Sequence, residues 1–197
     1  RAREGVLRAE DLACRRGGRM IFEHISFTLH AGQAMHVAGA NGSGKSSLLR
    51  QLAGLLPLAA GTLAHAFSPP HHMHYLGHDD GLKAAFSVAE TLAFEAALAK
   101  GDVPTRLIAD LGLAGCAWRF VGDLSAGQKR RLTLARLRLD PRPLWLLDEP
   151  LTALDENGRK LVEELAQAHL ADGGMILAAS HEPLSFTDEA LRLGAAS

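Results

Sequence analysis

Hydrophobic and polar residues follow regular periods in the first quarter of the chain, and these periods predict two strands and a helix. Residues 25–29 alternate between apolar and polar side chains, which is the period of a half-buried strand. Residues 34–38 predict a second short strand that leads into a glycine-rich turn. Residues 46–56 carry leucines on one helical face, and Pro57 is expected to end this helix.

The last third of the chain contains apolar runs that do not alternate. Residues 144–147 and 175–179 are uninterrupted runs of this kind, which are typical of strands buried on both faces of a parallel sheet. A helical pattern at residues 159–170 separates them. Because strands and helices succeed one another in this way, we expect an α/β fold with a doubly wound sheet.

The segment between these two parts is rich in alanine and leucine at helical spacing. It predicts helices over residues 87–100 and 104–113 with no strand between them. We therefore expect a single domain, residues 1–197, with a helical subdomain at about 80–124 inserted into the α/β core.

Composition and charge narrow the function further. The 197 residues are 47% hydrophobic and 22% charged, as is usual for a folded globular domain. A formal net charge of -1 provides no overall attraction to nucleic acid, so we expect no nucleic-acid partner. Two cysteines, Cys14 and Cys116, are too few for a disulfide framework or a cysteine-based zinc site. No apolar run reaches the roughly 18 residues of a membrane-spanning helix.

The turn after the second strand matches the phosphate-binding pattern G-x-x-x-x-G-K-[ST]. Glycines let the backbone wrap a phosphate chain, and the N–H groups at the start of the next helix attract anions. We expect Lys45 to reach the β- and γ-phosphates of ATP and the Ser46 hydroxyl to bind Mg²⁺. The predicted ATP-binding residues are Gly39, Ala40, Asn41, Gly42, Ser43, Gly44, Lys45, Ser46 and Ser47.

The apolar strand at residues 144–147 is followed by two acidic residues. A buried parallel strand delivers such residues at the carboxyl edge of the sheet, where the phosphate loop is also expected. We therefore predict that Asp148 binds Mg²⁺, directly or through water, and that Glu149 is the general base that polarises the attacking water.

A further motif points to one family. About 20 residues before the apolar strand at 144–147, the chain contains the motif Leu124, Ser125, Ala126, Gly127 and Gln128. A helix is expected to begin there and to continue through residue 139. With this motif in place, the chain resembles an ATP-binding cassette (ABC) ATPase. Asp155, in Thr-Ala-Leu-Asp, resembles the D-loop of that family, and His181 resembles its switch histidine. The resemblance extends over essentially the whole chain. It implies a P-loop ATPase fold with a RecA-like α/β core, a small antiparallel β element and a helical subdomain.

The resemblance implies a mechanism that needs two chains. In the family, the signature residues Leu124–Gln128 cap the γ-phosphate bound to a second cassette, so we expect a homodimer with two ATP molecules between its subunits. Ser125 also suits the N-cap position of a helix, and both roles use the same donors. Lys45, Glu149 and His181 are the catalytic residues that the resemblance implies, and ATP and Mg²⁺ are the cofactors.

Two positions depart from the common pattern of the family. Arg16 stands where an aromatic residue usually stacks on adenine, and a guanidinium plane is also able to stack on a purine. His78 stands at the glutamine position of the Q-loop, with Asp79 as the alternative. Histidines 71, 72, 74 and 78 also form a cluster, but the cluster follows two prolines and predicts a loop rather than a metal site.

The segment 75–83, Tyr-Leu-Gly-His-Asp-Asp-Gly-Leu-Lys, indicates a subfamily. It is similar to a stretch found in ATPase subunits of the cytochrome c maturation haem exporter, although Asp79 replaces the usual glutamine. This resemblance implies integral membrane subunits as partners, release of a haem-loaded chaperone, and a peripheral position on the cytoplasmic face of the bacterial inner membrane.

Three other functions share these motifs. A cassette of a different exporter has the same catalytic residues. A soluble cassette protein that acts on ribosomes or DNA usually carries two cassettes or a long coiled coil, and neither is present here. A non-hydrolysing regulatory cassette is disfavoured because Lys45, Asp148, Glu149 and His181 are all present.

Overall fold

The structure is a computed structural model that describes residues 5–65 and 72–194. Its elements are, in chain order, β1 (Val6–Arg16), β2 (Arg19–His30), β3 (Ala34–Ala38), α1 (Lys45–Leu52), β4 (Ala60–His65), β5 (Met73–Leu76), α2 (Val88–Leu98), α3 (Leu107–Asp110), α4 (Ala126–Thr133), α5 (Ala135–Leu139), β6 (Leu144–Asp148), α6 (Glu156–Ala171), β7 (Met175–Ala179) and β8 (Glu189–Arg192). In the described residues, no helix is long and apolar enough to cross a membrane.

The chain divides into two compact units. The first takes its described residues from Arg1–Gly77, Arg142–Pro150 and Leu165–Ser197, and the second consists of His78–Pro141 and Leu151–Glu164. The second unit is mainly helical, and within its fully described residues the only β pairing is an isolated bridge between Ser87 and Phe120. It therefore extends on both sides of the residues expected to form the helical subdomain.

The first unit contains a five-stranded parallel sheet with the order β5-β6-β7-β3-β8. Strands β6 and β7 are buried at every position, which explains why their sequences are apolar without alternation. Strand β3 lies between β7 and β8, so the turn that follows it opens at the carboxyl edge next to the end of β7. The predicted α/β fold is confirmed.

A second, antiparallel sheet of the first unit has the order β2-β1-β4. The predicted strand at 25–29 lies within β2, but β1 was not predicted because its alternation is interrupted. Asp11 and His24 both have positive φ values, 52° and 58°, and the register of β1 with β2 shifts between Ala9 and Leu12. Such a bulge moves the buried side chains from the odd-numbered to the even-numbered positions of the strand.

Both sheets contribute to one hydrophobic core in the first unit. Its central members are fully or almost fully buried and come from β1, β2, β3, α1, β6 and β7: Leu7, Leu12, Phe22, Leu29, Val37, Leu48, Leu49, Leu144, Leu146, Met175 and Leu177. This packing fixes α1 against the parallel sheet and so sets the direction in which its N-terminus points.

Helix α1 ends four residues earlier than its leucine pattern predicts. Gly54 adopts a left-handed conformation with φ 72°, and the N–H groups of Leu55 and Leu56 both donate to the Arg50 carbonyl. A left-handed glycine after the last helical turn is a common helix terminator, and it acts before Pro57 is reached. Leu56 still packs against the core, and Leu55 is exposed.

The helices of the second unit are also shorter than expected. A capping box begins α2, in which the Ser87 hydroxyl accepts from the Glu90 N–H while the Glu90 carboxylate accepts from the Ser87 N–H. The segment predicted as a helix at 104–113 contains only the short α3, and Gly112 with φ 67° closes it. The helix expected to reach residue 139 is interrupted at Leu134, which separates α4 from α5.

Candidate active site

The turn between β3 and α1 has the backbone conformation that phosphate binding requires. Gly42 and Gly44 have φ values of 81° and 100°, which only glycine adopts without strain. Gly44 is the N-cap residue of α1, and no side chain caps this helix end. The N–H groups of its first turn therefore point toward the loop as an anion site.

Two glycines of this loop are also required for steric reasons. A Cβ atom at Gly39 would lie 2.5 Å from the Ser43 hydroxyl oxygen and 2.9 Å from the Leu193 carbonyl oxygen. A Cβ atom at Gly44 would lie 2.6 Å from a side-chain carbon of Ile21 and 2.7 Å from one of Phe22. The loop thus packs too tightly against β2 and the end of β8 to hold any side chain at these positions.

Lys45 is held within this loop. The Lys45 side chain is buried, and its Nζ donates to the carbonyl oxygens of Gly39 at 2.8 Å and of Ala40 at 3.3 Å. The Ser43 hydroxyl oxygen is buried and has no hydrogen-bond partner among the described residues. A buried ammonium group and an unpaired hydroxyl in a glycine-lined loop suit a phosphate chain.

The two acidic residues lie at the end of β6. Asp148 is almost fully buried and is the last residue of the strand. Glu149 follows it with φ 50°, and its N–H donates to the Ala179 carbonyl at 2.8 Å. Its Oε1 lies 3.2 Å from Nε2 of His181. The predicted base and the predicted switch histidine are therefore in direct contact.

The topology explains why these groups meet. Strands β6, β7 and β3 are neighbours in that order and run in parallel. Strand β6 ends in Asp148 and is followed by Glu149. Strand β7 is followed closely by His181, and β3 is followed by the phosphate loop. The first unit alone thus brings a cation, two carboxylates and an imidazole to one sheet edge, which is where open α/β sheets bind ligands.

Arg16 is the last residue of β1, next to a two-residue turn. Gly17 and Gly18 both have positive φ values, as a tight hairpin requires, and Arg16 pairs with Arg19 across it. The same strand contacts α1: Cys14 forms a hydrogen bond with Ser47, and burial raises the pKa of the Cys14 thiol. Arg16 itself is exposed, and the strand that carries it borders α1.

The signature residues belong to the second unit. Ser125 is the N-cap of α4 and forms a capping box, in which its hydroxyl accepts from the Gln128 N–H and the Gln128 side chain accepts from the Ser125 N–H. The Gln128 amide also donates to the Cys116 sulfur at 3.4 Å. Leu124 is buried, whereas Ser125 and Ala126 are exposed. The box thus presents the start of α4 at the surface.

Gly127 packs against the D-loop. A Cβ atom at Gly127 would lie 2.7 Å from the Ala153 carbonyl oxygen, so only glycine allows this contact. Two residues later, Asp155 accepts from the Gly158 N–H at 2.9 Å and forms an ion pair with Arg131 of α4. These two interactions lower the pKa of the Asp155 carboxyl. Two contacts therefore join α4 to the D-loop, one between Gly127 and Ala153 and the other between Arg131 and Asp155.

His78 and Asp79 are both exposed at the start of the second unit. The residues after them are held by two arginines. The Arg130 guanidinium lies 3.6 Å from the Asp80 carboxylate, and Arg136 donates to the carbonyl oxygens of Asp80 and Gly81. Arg136 also pairs with Glu95 of α2 at 2.8 Å. The Q-loop segment is thus attached to the helices by its backbone.

One polar residue near this site, His36 in the middle of β3, was not singled out by the sequence. A polar residue between apolar neighbours, as in Met-His-Val, is the signal that would have drawn attention to it.

The histidine cluster is dispersed in the structure. His74 is buried in β5, whereas His72 and His78 are exposed, and His71 lies outside the described residues. Across residues 5–65 and 72–194, no three histidine, cysteine or acidic side chains converge as a metal site would require.

Comparison with known proteins identifies the class. A family model described as ABC transporter matches residues 22–152, which is more than half of the chain. An ABC transporter ATP-binding protein of Pyrococcus furiosus has the same fold, with a TM-score of 0.82, 25% identity and coverage of 95% of this chain and 97% of that one. A cassette solved in its ADP conformation superimposes with a TM-score of 0.76 at 18% identity. The chain therefore belongs to the ABC transporter family and has its ATP-binding, ATPase domain.

The names of similar proteins indicate a more specific process. The cytochrome c biogenesis ATP-binding export protein CcmA of Rhodopseudomonas palustris strain HaA2 is 46% identical over 97% of this chain and 99% of its own length. The protein of the same name from Bradyrhizobium diazoefficiens is 47% identical over 92% of this chain and 94% of its own length.

Proposed function

We propose that this chain is the ATP-hydrolysing subunit of a haem export complex in cytochrome c biogenesis. Relatives that share 46% identity over nearly their whole length are named for export in that process, and the segment 75–83 resembles theirs. The observation that carries the enzymatic part is the contact of Glu149 with His181 at the sheet edge that also holds the phosphate loop.

ATP would bind with its phosphates in the loop Gly39–Ser46. Lys45 and the N–H groups of the first turn of α1 would neutralise the β- and γ-phosphates. Ser46 and Asp148 fit Mg²⁺, since a hydroxyl and a buried carboxylate are oxygen ligands of the kind it prefers, and Mg²⁺ would neutralise charge on the phosphates. Arg16 would stack on the adenine from the border of α1.

Glu149 would act on the attacking water. Its carboxylate would accept a proton from the water as that water attacks the γ-phosphate and ADP leaves, and His181 would orient that carboxylate and contact the γ-phosphate. Glu149 has a positive φ of 50°. Since its backbone N–H is bonded to Ala179, this conformation is fixed before the substrate arrives.

A homodimer would complete each site. Ser125 and Gly127 are exposed or partly exposed at the start of α4, and a helix N-terminus at the surface suits the γ-phosphate bound to a second chain. Asp155, as the D-loop residue, would lie at the same dimer interface. This arrangement supports ATP-dependent association of two cassettes.

Integral membrane subunits of the CcmB and CcmC type would bind the second unit, around Ser87–Leu113 and the loop His78–Lys83. This unit exposes large apolar side chains, which favour a protein partner: Phe94, Leu98, Trp118 and Phe120. Binding there would place the chain peripherally on the cytoplasmic face of the inner membrane, where its ATP cycle would drive release of a haem-loaded chaperone.

The enzymatic proposal is tested with Glu149→Gln. Loss of a general base lowers turnover by about 10²- to 10⁴-fold, while ATP binding by Lys45 is retained. We expect no measurable hydrolysis and an ATP-stabilised dimer in gel filtration, whereas Lys45→Ala forms no such dimer. Hydrolysis at the wild-type rate by Glu149→Gln would show that another group is the base.

The biological proposal is tested by gene deletion and rescue. The deletion strain should lose covalent haem from its c-type cytochromes and keep its b-type haem. Wild type and Leu55→Asp, which alters an exposed leucine of the first unit, should restore the c-type cytochromes. Lys45→Ala and the double variant Phe94→Asp, Leu98→Asp should not. Normal c-type cytochromes in the deletion strain would refute the role in this process and leave the ATPase mechanism intact.

A further inference from the structure

His36 is a polar side chain in the centre of the strand that leads into the phosphate loop. Its neighbours Ala34, Met35 and Val37 are buried, and β3 is paired on both edges. A polar ring in such a strand is costly unless it has a hydrogen-bond partner. The ring has one, and that partner lies beside the catalytic pair.

Nε2 of His36 lies 2.9 Å from the carbonyl oxygen of Ser180. A carbonyl oxygen only accepts, so the ring donates through Nε2–H. The strand pairing of β3 with β7 ends at Val37 and Ala179. The His36 side chain therefore extends the attachment between the two strands by one residue, into the segment that carries His181.

Backbone contacts hold both sides of His181. Ser180 is fixed by His36, and the Ser180 hydroxyl accepts from the Glu182 N–H at 3.1 Å. The Glu149 N–H donates to the carbonyl oxygen of Ala179, which is the residue before Ser180. The His181 side chain itself is half exposed, and its contact with Glu149 depends on these anchors. Of the anchors, the one from His36 comes from the strand that also carries the phosphate loop.

We propose that His36 is a positioning residue for hydrolysis, which holds the backbone of the switch segment so that His181 and Glu149 stay aligned with the phosphate loop. His36 does not touch the nucleotide in this assignment. The inference rests on the proposed roles of Glu149 and His181. It predicts that loss of the Nε2 donor lowers turnover and leaves ATP affinity unchanged.

The test compares three substitutions in the purified full chain. His36→Gln keeps an N–H donor at the position of Nε2, His36→Asn has the same amide at a shorter reach, and His36→Leu removes the donor. Because a displacement of about 1 Å near the reacting groups lowers rates by up to about 100-fold, we expect kcat to fall about 10- to 100-fold in the Asn and Leu variants. The Gln variant should retain most of the kcat, and the Kd of a fluorescent ATP analogue should be the same in all four proteins.

Two results would overturn the assignment: a kcat within about twofold of wild type in both the Asn and Leu variants, or equal losses in Gln and Asn. If His36→Leu fails to fold, the Gln and Asn variants decide alone, since they differ only in reach. Glu149→Gln and His181→Ala are measured in parallel. If these two retain turnover, the proposed catalytic roles fail, whereas full turnover in the His36 variants alone refutes only the positioning role.

Discussion

Glu149 and Ala153 are non-glycine residues with positive φ values of 50° and 63°. A left-handed conformation costs an ordinary residue roughly 1–2 kcal/mol, so the surroundings must hold it in place. The Glu149 N–H is bonded to Ala179, and the Ala153 carbonyl packs against Gly127. At the residue scale, local strain therefore occurs in the two segments to which hydrolysis and the D-loop are assigned.

The contact of Gly127 with Ala153 makes a direct prediction for Gly127→Ala. The added methyl group would lie 2.7 Å from the carbonyl oxygen, so α4 and the D-loop must separate. We expect ATPase activity to fall by an order of magnitude or more, with stability lowered by about 1–3 kcal/mol. Steady-state kinetics and thermal melting measure the two effects.

Gly115→Ala is the matched control, because a Cβ atom there meets nothing within 4 Å. It should leave both activity and melting temperature unchanged. Equal activity of the two variants would show that close packing of Gly127 on the D-loop is not needed for turnover.

At the scale of elements, α6 is held to the sheet by an aromatic contact. The His169 ring stacks on Trp145 of β6 with ring centroids 3.9 Å apart and an interplanar angle of 8°. Gly174 makes room for this ring, since a Cβ atom there would lie 2.2 Å from it. Burial lowers the pKa of His169 to about 4. The imidazole is therefore neutral in the folded protein at neutral pH.

This pKa predicts how stability depends on pH. The unfolded chain binds a proton at His169 near its ordinary pKa of about 6.5, whereas the folded protein does so only near 4. The contribution of His169 is thus fully present above about pH 6.5 and is lost as the pH falls toward 4. His169→Phe, which keeps a ring on Trp145 and cannot titrate, should show a smaller decrease in melting temperature between these two pH values.

His24→Gln provides a control of opposite sign. The hydrogen bond to Asp11 raises the pKa of His24, so this residue stabilises the folded state at low pH and loses that effect as the pH rises through its folded-state pKa. The substitution should make the decrease at low pH steeper. Identical pH profiles for His169→Phe and wild type would contradict the assignment to His169.

At the scale of the whole molecule, the phosphate loop and the signature motif lie in different compact units. In the proposed dimer each site combines the loop of one chain with the signature of the other. Lys45→Ala inactivates the first component and Ser125→Arg the second. A mixture of the two variants should therefore contain heterodimers with one intact site.

We expect the mixed sample to hydrolyse ATP faster than the sum of the two variants measured separately. Formation of heterodimers is verified with differently tagged chains. Activity equal to the sum, in a sample that contains heterodimers, would exclude a signature that acts on the partner's nucleotide.

The sequence by itself determined the elements whose chemistry is local. Residues 34–38 match β3. Residues 175–179 match β7, because a strand that is covered on both faces must be apolar throughout. The glycines of the phosphate loop indicated its conformation, since only glycine adopts φ values near those of Gly42 and Gly44 freely. Gly54 carried a similar local signal, yet the leucine pattern masked it.

Other features were decided by tertiary structure alone. Strand β1 depends on a bulge at Asp11, which His24 and Ser26 of the neighbouring strand stabilise through side-chain hydrogen bonds. The interruption between α4 and α5 at Leu134 is likewise not contained in the periodicity of the sequence.

The contact between Glu149 and His181 shows the division most clearly. Sequence motifs named Glu149 and His181, and the two side chains meet because β6 and β7 are adjacent parallel strands that end at the same edge. His36 belongs to a third strand and reaches the same segment through one side chain. Residue types reveal which side chains carry chemistry, whereas the pairing of distant strands determines which of these side chains meet. The sequence alone does not settle that pairing, because hydrogen bonding between strands does not depend on their separation along the chain.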